Sequence, residues 1–410
     1  MKRPIAWILG LCVILNGGAL NGGLAAQAPQ KKFMGGPVTI EDQGSFFVGG
    51  VTKVSEHATV PFAPPGQPVP APTPQQITIG QMYVQFQIPA RTSGPGWPVI
   101  MVHGSTHTGA ALESTPDGRE GWYPYFVRKG VATYVVDQSG RGRSGFDQSV
   151  LHEAEAKMNA GDTAAAAALI PNFGRITDNG AWTAWFGHLL PAGSNVTNGK
   201  LIQHGDPADP EKPTDGRPHV APVFPMAAVA EYYKQLVPNA EVTLPGSTCA
   251  TCNPQQLTPA NTWTPQNLAL LVERLGGAIV ATHSQSGIMG HHMVRILKEH
   301  GRLDLLKGLI TIEGGCSLPQ SGLAAADFDA IPYLALKGDY TATSAQCQET
   351  VDAINARRAA KQGTARADYL KLDEMGMLGV THMMMLDKKS NEIADIMIDW
   401  VGKNVKAARR

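Results

Sequence analysis

The sequence predicts an α/β fold in which a mostly parallel, eight-stranded sheet carries helices on both faces and an inserted cap. Three observations lead to this prediction. Short apolar, β-rich runs alternate with helical stretches, as in sheets built from strand–helix units. This alternation of strand and helix patterns stops between residues 146 and 261, where the chain becomes rich in Ala, Pro and Asn. Hydrophobic residues make up 43% of the 410 positions and charged ones 17%, enough for one large core.

The strands and helices follow from local pattern. Eight runs are predicted as strands, at 45–52, 82–88, 98–102, 131–136, 277–282, 308–312, 331–336 and 369–372. Residues 264–275 predict a helix with Thr264 as N-cap and Pro265 at the first helical position. A last helix is expected over about 392–403. From 146 to 261 no apolar β run is found, so the cap is expected to be partly helical.

The N-terminal residues and the overall charge indicate where the protein acts and which partners are excluded. Residues 1–26 have the basic start, apolar stretch and small-residue cleavage region of a signal peptide, so we expect a secreted or periplasmic protein. The rest divides into an N-terminal core part (27–145), a cap insertion (146–261) and a C-terminal core part (262–410). Lys and Arg together number 34, as do Asp and Glu. This balance argues against a nucleic-acid partner, and no run is long enough to predict a membrane span.

Four cysteines remain after the predicted signal peptide: Cys249, Cys252, Cys316 and Cys347. An even number in an oxidising compartment favours disulfides, and three pairings stay open. Cys249 and Cys252 form a CxxC pair, but no second CxxC or HxxxH completes a zinc site. We therefore expect no metal and no cofactor.

One motif is misleading. Residues 140–145 match the dinucleotide-binding fingerprint GxGxxG and follow a predicted strand. The fingerprint also requires an acidic residue about twenty positions on, at the end of a second strand, and that region is Ala-rich and helical here. We interpret the motif as a strand-to-helix turn ordered by Arg141 and Arg143.

The strongest chemical signal is the stretch Ala278–Gly287, where a strand turns sharply into a helix with Ser284 at the corner. Such an elbow strains the backbone at the serine, so the residues two before and two after it must be small. Thr282 and Ser286 satisfy this. Placing Ser286 at the corner would put Ile288 in a crowded position. Ser284 is therefore the predicted nucleophile of an α/β-hydrolase fold.

A serine nucleophile needs a base and an acid further along the chain in this fold. His382 lies in a loop after the last strand, with Gly379 nearby, and no histidine follows it. Earlier histidines, at 283, 291 and 292, are interpreted as packing or capping residues, and Met383–Met385 as core or wall. Two carboxylates follow strands between Ser284 and His382. Glu313 is favoured as the acid, and Asp339 is the alternative; many α/β-hydrolases place the acid where Thr341 stands.

An oxyanion hole requires backbone N–H groups aimed at the developing charge. Gln285, which follows the nucleophile, is expected to supply one. The loop beginning at His103 is expected to supply the other, from Ser105, with Gly104 allowing close backbone approach.

At this point the chain resembles the secreted bacterial esterases with a Ser–Glu–His triad. The matching stretches are 44–50, 115–119, 137–144, 283–288 and 382–385. The resemblance implies Ser284 as nucleophile, His382 as base and Glu313 as acid, and it favours pairing of Cys316 with Cys347. The type enzyme of the family carries two adjacent cysteines in the oxyanion loop, where this sequence has Ser105 and Thr106.

The sequence thus predicts an enzyme that hydrolyses a carboxylic ester of a small molecule through an acyl-enzyme. Amide, lactone or thioester hydrolysis by the same residues stays open, as does a non-catalytic binding protein on the same scaffold. The oligomeric state is also open, a dimer included.

Overall fold

The computed structural model describes residues 35–60, 67–170, 175–210, 223–240 and 263–408. The predicted signal peptide, Cys249 and Cys252 lie outside these residues. The strands are β1 (Ile40–His57), β2 (Thr73–Pro89), β3 (Val99–Val102), β4 (Thr133–Asp137), β5 (Gly187–Leu190), β6 (Lys200–Gln203), β7 (Ala278–His283), β8 (Leu306–Ile312), β9 (Tyr333–Lys337) and β10 (Ala367–Lys371). The helices are α1 (Ala110–Glu113), α2 (Trp122–Arg128), α3 (Ser149–Asn159), α4 (Thr163–Leu169), α5 (Asp178–Trp185), α6 (Val229–Tyr233), α7 (Thr264–Arg274), α8 (Ser286–Glu299), α9 (Ala345–Ala359) and α10 (Ser390–Asn404).

The main sheet has eight strands in the order β1-β2-β4-β3-β7-β8-β9-β10. β1 and β2 form a long antiparallel hairpin, and β2 is also antiparallel to β4. From β4 to β10 every neighbouring pair is parallel. The eight predicted strands all form, so the predicted mostly parallel, eight-stranded sheet is confirmed.

Two hydrophobic cores lie on opposite faces of this sheet. Alternate residues of β3 separate into them: Val99 and Met101 face one core, Ile100 and Val102 the other. α2 and α10 cover the first face, and α7, α8 and α9 cover the second. Because parallel strands are buried on both sides, they read as continuous apolar runs in the sequence, which explains why they were predictable.

Two sequence expectations need correction. The segment between β4 and β7 is not without strands, because β5 and β6 pair there as a two-stranded antiparallel sheet. Each strand has only four residues, too few for an alternation of apolar and polar side chains to be recognised in the sequence. Thr264 is not the N-cap of α7; Trp263 occupies that position. The Thr264 hydroxyl instead accepts a hydrogen bond from the Ser139 N–H at 3.2 Å.

The turn at 140–145 is ordered by arginines, as predicted. Arg143 donates to both carboxylate oxygens of Asp137, at 2.8 and 3.1 Å. Arg141 is buried and donates to the carbonyl of Gly104 at 3.0 Å. Within the residues that the structure covers, no helix combines the length and the apolar character needed to cross a bilayer.

Candidate active site

Ser284 stands at the corner between β7 and α8. Its φ is 55°, in the left-handed region that costs a non-glycine residue on the order of 1 kcal/mol or more. The strain is held by hydrogen bonds on both sides of the corner: the Ser284 N–H donates to Ile312 O at 2.9 Å, and Ser284 O accepts from the Gly287 N–H at 2.9 Å. Ser284 is partly exposed, whereas the residues before it are buried. The corner therefore presents this hydroxyl to the surface of the site.

Ser286, the other hydroxyl of the elbow, has a different setting. It is fully buried, accepts from the His283 N–H at 2.8 Å and lies 3.0 Å from the Val102 carbonyl oxygen. Its hydroxyl therefore ties the helix start to the neighbouring strand. This arrangement agrees with the choice of Ser284 as the corner residue.

His382 and Glu313 come together from different parts of the chain. The Nδ1 atom of His382 lies 2.5 Å from Oε2 of Glu313. The Glu313 side chain is fully buried, and that of His382 is 16% exposed. Thr341 donates its hydroxyl to the same Oε2 at 2.7 Å, and the Gly338 N–H donates to Oε1. Both carboxylate oxygens thus have donors, as a buried charge requires.

Asp339, the alternative acid, lies at the end of β9 but faces elsewhere. Its Oδ2 accepts from the Gly379 N–H at 2.8 Å, and its own N–H donates to Val380 O at 3.1 Å. Asp339 therefore fixes the start of the loop that carries His382, while Glu313 contacts the imidazole.

Two glycines let the end of β8 pack against the elbow. A Cβ at Gly314 would lie 2.8 Å from Ser284 O, and one at Gly287 would lie 2.8 Å from the Gly314 Cα. Both distances are too short for any side chain. Cys316, two residues on, is joined to Cys347 at the start of α9 by a disulfide, as the resemblance implied.

The other histidines of the elbow and of α8 are buried. Burial lowers the pKa of His283 well below its ordinary value and that of His291 to about 4, so both are neutral near pH 7. The Nε2 atom of His283 lies 2.9 Å from His382 O. A neutral ring can donate there, so His283 holds the backbone of the His382 loop.

The loop after β3 approaches the elbow closely. A Cβ at Gly104 would lie 3.0 Å from the Ser284 Cβ and 2.9 Å from His283 Nδ1, so only glycine fits. Thr106 has φ of 56°, a second strained residue in this loop. Among the described residues, the backbone N–H groups of Ser105 and Gln285 donate no hydrogen bond.

Sequence reasoning missed the polar groups beneath the His382 loop. Asp387 is fully buried and accepts from the Thr381 N–H at 2.7 Å and from its hydroxyl at 3.0 Å. Burial raises the pKa of Asp387 to about 7. Arg119 donates to the carbonyls of Leu386 and Asp387, at 2.9 and 3.0 Å. Met383–Met385 are buried core residues, as predicted.

Aromatic side chains of the segment between β4 and β7 complete the surroundings. The Trp185 ring stacks on His382, with centroids 6.2 Å apart, and also contacts His107 at 5.2 Å. Trp182, Phe186 and Tyr232 are fully buried and belong to the same core as α2 and α10. Trp185 therefore lies next to the imidazole of His382.

Comparison with known proteins agrees with this fold. No protein-family model matches the chain. The chain is 25% identical over 368 residues to the "Probable secreted lipase phiG" of Fungal sp. (strain ATCC 74256), which covers 78% of this chain and 86% of that protein. It is 30% identical to a solved structure described as a novel bacterial esterase, with a TM-score of 0.66, over 90% of this chain and 98% of that one.

A solved relative at this identity and coverage fixes the family. Its name, and that of the lipase, both denote ester hydrolysis. The chain belongs to the α/β-hydrolase esterase family and is a carboxylic ester hydrolase.

Proposed function

We propose that Ser284, His382 and Glu313 act as a catalytic triad that cleaves a small-molecule carboxylic ester through an acyl-enzyme. The observation that carries this proposal is the contact of His382 Nδ1 with the fully buried carboxylate of Glu313. Such a contact keeps the proton on Nδ1 and leaves Nε2 as the base. Ser284, at its strained corner, is tied by its backbone N–H to Ile312, the residue before Glu313.

In the first half of the reaction, Nε2 of His382 takes the Ser284 hydroxyl proton as Oγ attacks the ester carbonyl carbon. The carbonyl oxygen becomes an oxyanion and accepts from the N–H groups of Gln285 and Ser105. The tetrahedral intermediate then loses the alcohol, which receives the proton from His382. Glu313 stabilises the imidazolium that forms in between.

In the second half, water replaces the alcohol. His382 takes a proton from it, the hydroxide attacks the acyl carbon, and Ser284 leaves with the proton returned to its oxygen. The free acid is released. Both halves use the same residues, so no cofactor is required.

We also propose that residues 146–261 form a cap over this site and that residues 1–26 direct export. Trp185, which stacks on His382, supports the first point. The disulfide and the name of the lipase relative support the second, since disulfides persist in oxidising compartments.

The decisive experiment is labelling with a fluorophosphonate, followed by peptide mapping and by turnover of a p-nitrophenyl acyl series. We expect a single label on Ser284, with turnover abolished in step with labelling. Ser284→Ala should lose both. Ser286→Ala is the matched control, since it removes the neighbouring hydroxyl of the elbow, and it should still be labelled once its melting temperature shows that it is folded.

The same experiment separates the alternatives. Absence of label and of turnover in the folded wild-type protein would favour a binding protein on a hydrolase scaffold. The protein could instead be labelled and hydrolyse amides, lactones or thioesters but no carboxylic ester. That result would change the proposed substrate class and leave the proposed triad unchanged.

A further inference from the structure

A second cluster of histidine and carboxylate side chains lies away from Ser284. His188 is in β5, His204 directly follows β6, and Asp209 lies five residues further on. The Nε2 atom of His188 is 3.4 Å from Oδ1 of Asp209, and Nδ1 of His204 is 3.4 Å from its Oδ2. One donor atom from each residue can be chosen so that all three lie within 4.8 Å of one another.

The distances in this cluster are longer than those of a direct hydrogen bond. A charge-assisted hydrogen bond between nitrogen and carboxylate oxygen spans about 2.7–2.9 Å. Zinc binds imidazole nitrogen and carboxylate oxygen at about 2.0–2.1 Å, so two ligand atoms on a tetrahedral ion lie about 3.3–3.4 Å apart. Each imidazole lies at about this spacing from one oxygen of the carboxylate, His188 from Oδ1 and His204 from Oδ2.

The surroundings hold these ligands in place. The Asp209 side chain is fully buried, and those of His188 and His204 are 25% and 14% exposed. The Gly205 N–H donates to Asp209 Oδ2 at 3.0 Å, and the Asp209 N–H donates to Asp206 O at 2.8 Å. A buried carboxylate fixed by a tight turn between two imidazoles is preorganised for a cation.

We propose that His188, His204 and Asp209 bind a zinc-class divalent ion. Two imidazoles and one carboxylate suit zinc, whereas magnesium and calcium prefer oxygen ligands only. The site does not depend on the assignment of the triad.

The position of the site indicates a structural role. The His204 ring stacks on Tyr340 with centroids 4.5 Å apart, and the next residue, Thr341, donates to Glu313. An ion here would fasten the two-stranded β5–β6 sheet next to the loop after β9. It orders this edge of the cap and takes no part in bond cleavage.

The test is calorimetric titration of the EDTA-treated, full-length mature protein with Zn²⁺, Mg²⁺ and Ca²⁺, with melting curves as a second readout. We expect one Zn²⁺ per chain, bound at micromolar concentration or tighter, and a melting temperature about 3 °C higher or more with Zn²⁺. Mg²⁺ and Ca²⁺ should produce neither effect. His188→Gln and His204→Gln should each weaken Zn²⁺ binding by about 100-fold.

His300→Gln is the matched control. His300 is also paired with a carboxylate, Glu273, at 2.8 Å, but it is on the surface with a single partner. This variant should bind Zn²⁺ as the wild type does. Wild-type protein without Zn²⁺ binding, a response to Ca²⁺ instead, or unchanged binding in both site variants would each overturn the proposal. The first two outcomes are measured on wild-type protein, so the proposal can still be tested if a variant fails to fold.

Discussion

Two neighbouring strands of the sheet end near His382, and they contribute to its loop differently. At the end of β8, Glu313 buries its carboxylate and contacts the imidazole at Nδ1. At the end of β9, Asp339 accepts from the Gly379 N–H, and Thr341 donates to Glu313. One strand end thus supplies the charge, while the other supplies its hydrogen-bond donors and a backbone anchor.

The difference shows that a carboxylate can reach the imidazole from the end of either strand. Thr341 stands where many α/β-hydrolases place the acid, and here its hydroxyl donates to Glu313, the proposed acid. Glu313 has φ of 46°, a strained backbone that aims its side chain across the strand end. A longer carboxylate side chain reaches the imidazole from one strand further away.

The largest effect should come from Glu313→Gln. The amide cannot hold the Nδ1 proton in the required tautomer, so we expect kcat to fall about 10⁴-fold with the fold intact. Steady-state kinetics on a p-nitrophenyl ester, after matching melting curves, measure this loss. A folded Glu313→Gln variant with nearly wild-type kcat would remove Glu313 from the triad.

A third carboxylate, that of Asp387, extends the comparison. It is as buried as that of Glu313, but it accepts from the N–H and the hydroxyl of Thr381 and has no imidazole partner among the described residues. Its pKa is about 7 in the folded protein, raised by burial from an ordinary value of 3.8. The stability that it contributes is therefore complete below about pH 4 and is lost as the pH rises through 7. The Asp387→Asn side chain stays neutral at every pH. Between pH 4 and 8, the free energy of unfolding of this variant should therefore rise relative to that of the wild type by up to about 4 kcal/mol.

Urea unfolding of both proteins at several pH values measures this gain. Parallel curves for the two proteins across that range would show that the carboxyl group of Asp387 titrates normally.

A smaller effect is expected for Thr341→Val, which keeps the shape of the side chain and removes its donor. Glu313 Oε2 would retain His382 but lose its second partner. We expect kcat to fall about tenfold, since a lost hydrogen bond to a charge is worth about 1.5 kcal/mol or more. Thr341→Ser restores the donor and should recover most of the activity.

The smallest effect should be that of Asp339→Asn. The amide oxygen can still accept from the Gly379 N–H, so kcat should change less than about tenfold. If this variant loses activity more than Glu313→Gln does, the assignment of the two strand ends is reversed. Ser284 and His382 would be unaffected by that reversal.

The sequence predicted best what depends on short stretches of chain. The corner at Ser284 was predictable because strand, corner and helix are contiguous in the chain. The parallel strands were predictable because each is a short apolar run. The choice between Glu313 and Asp339 rested on the position of Glu313 directly after its strand and on the family resemblance, since both residues follow strands. The direction of each side chain depends on the backbone at the strand end, such as the positive φ of Glu313, which no local pattern reveals.

The contacts that no pattern could reveal join distant segments. Arg119 reaches the carbonyl of Leu386, 267 residues away in the chain. Thr264 resembles an N-cap in the sequence, yet its hydroxyl is engaged by Ser139 across the core. His188, His204 and Asp209 have no motif spacing, because the pairing of β5 with β6 brings the first two together.

The buried Arg141 has a consequence for the peptide bond that it contacts. The Gly104 carbonyl and the Ser105 N–H belong to one peptide group. The oxygen of this group accepts from Arg141 at 3.0 Å and from Nδ1 of His103 at 2.8 Å. Nδ1 is the donor nitrogen of this ring, because the other nitrogen, Nε2, accepts from the Gln138 N–H. Donors on the oxygen draw electron density through the amide and make its N–H a stronger donor. That peptide plane cannot rotate without breaking both bonds, so the direction of the Ser105 N–H is fixed by its surroundings.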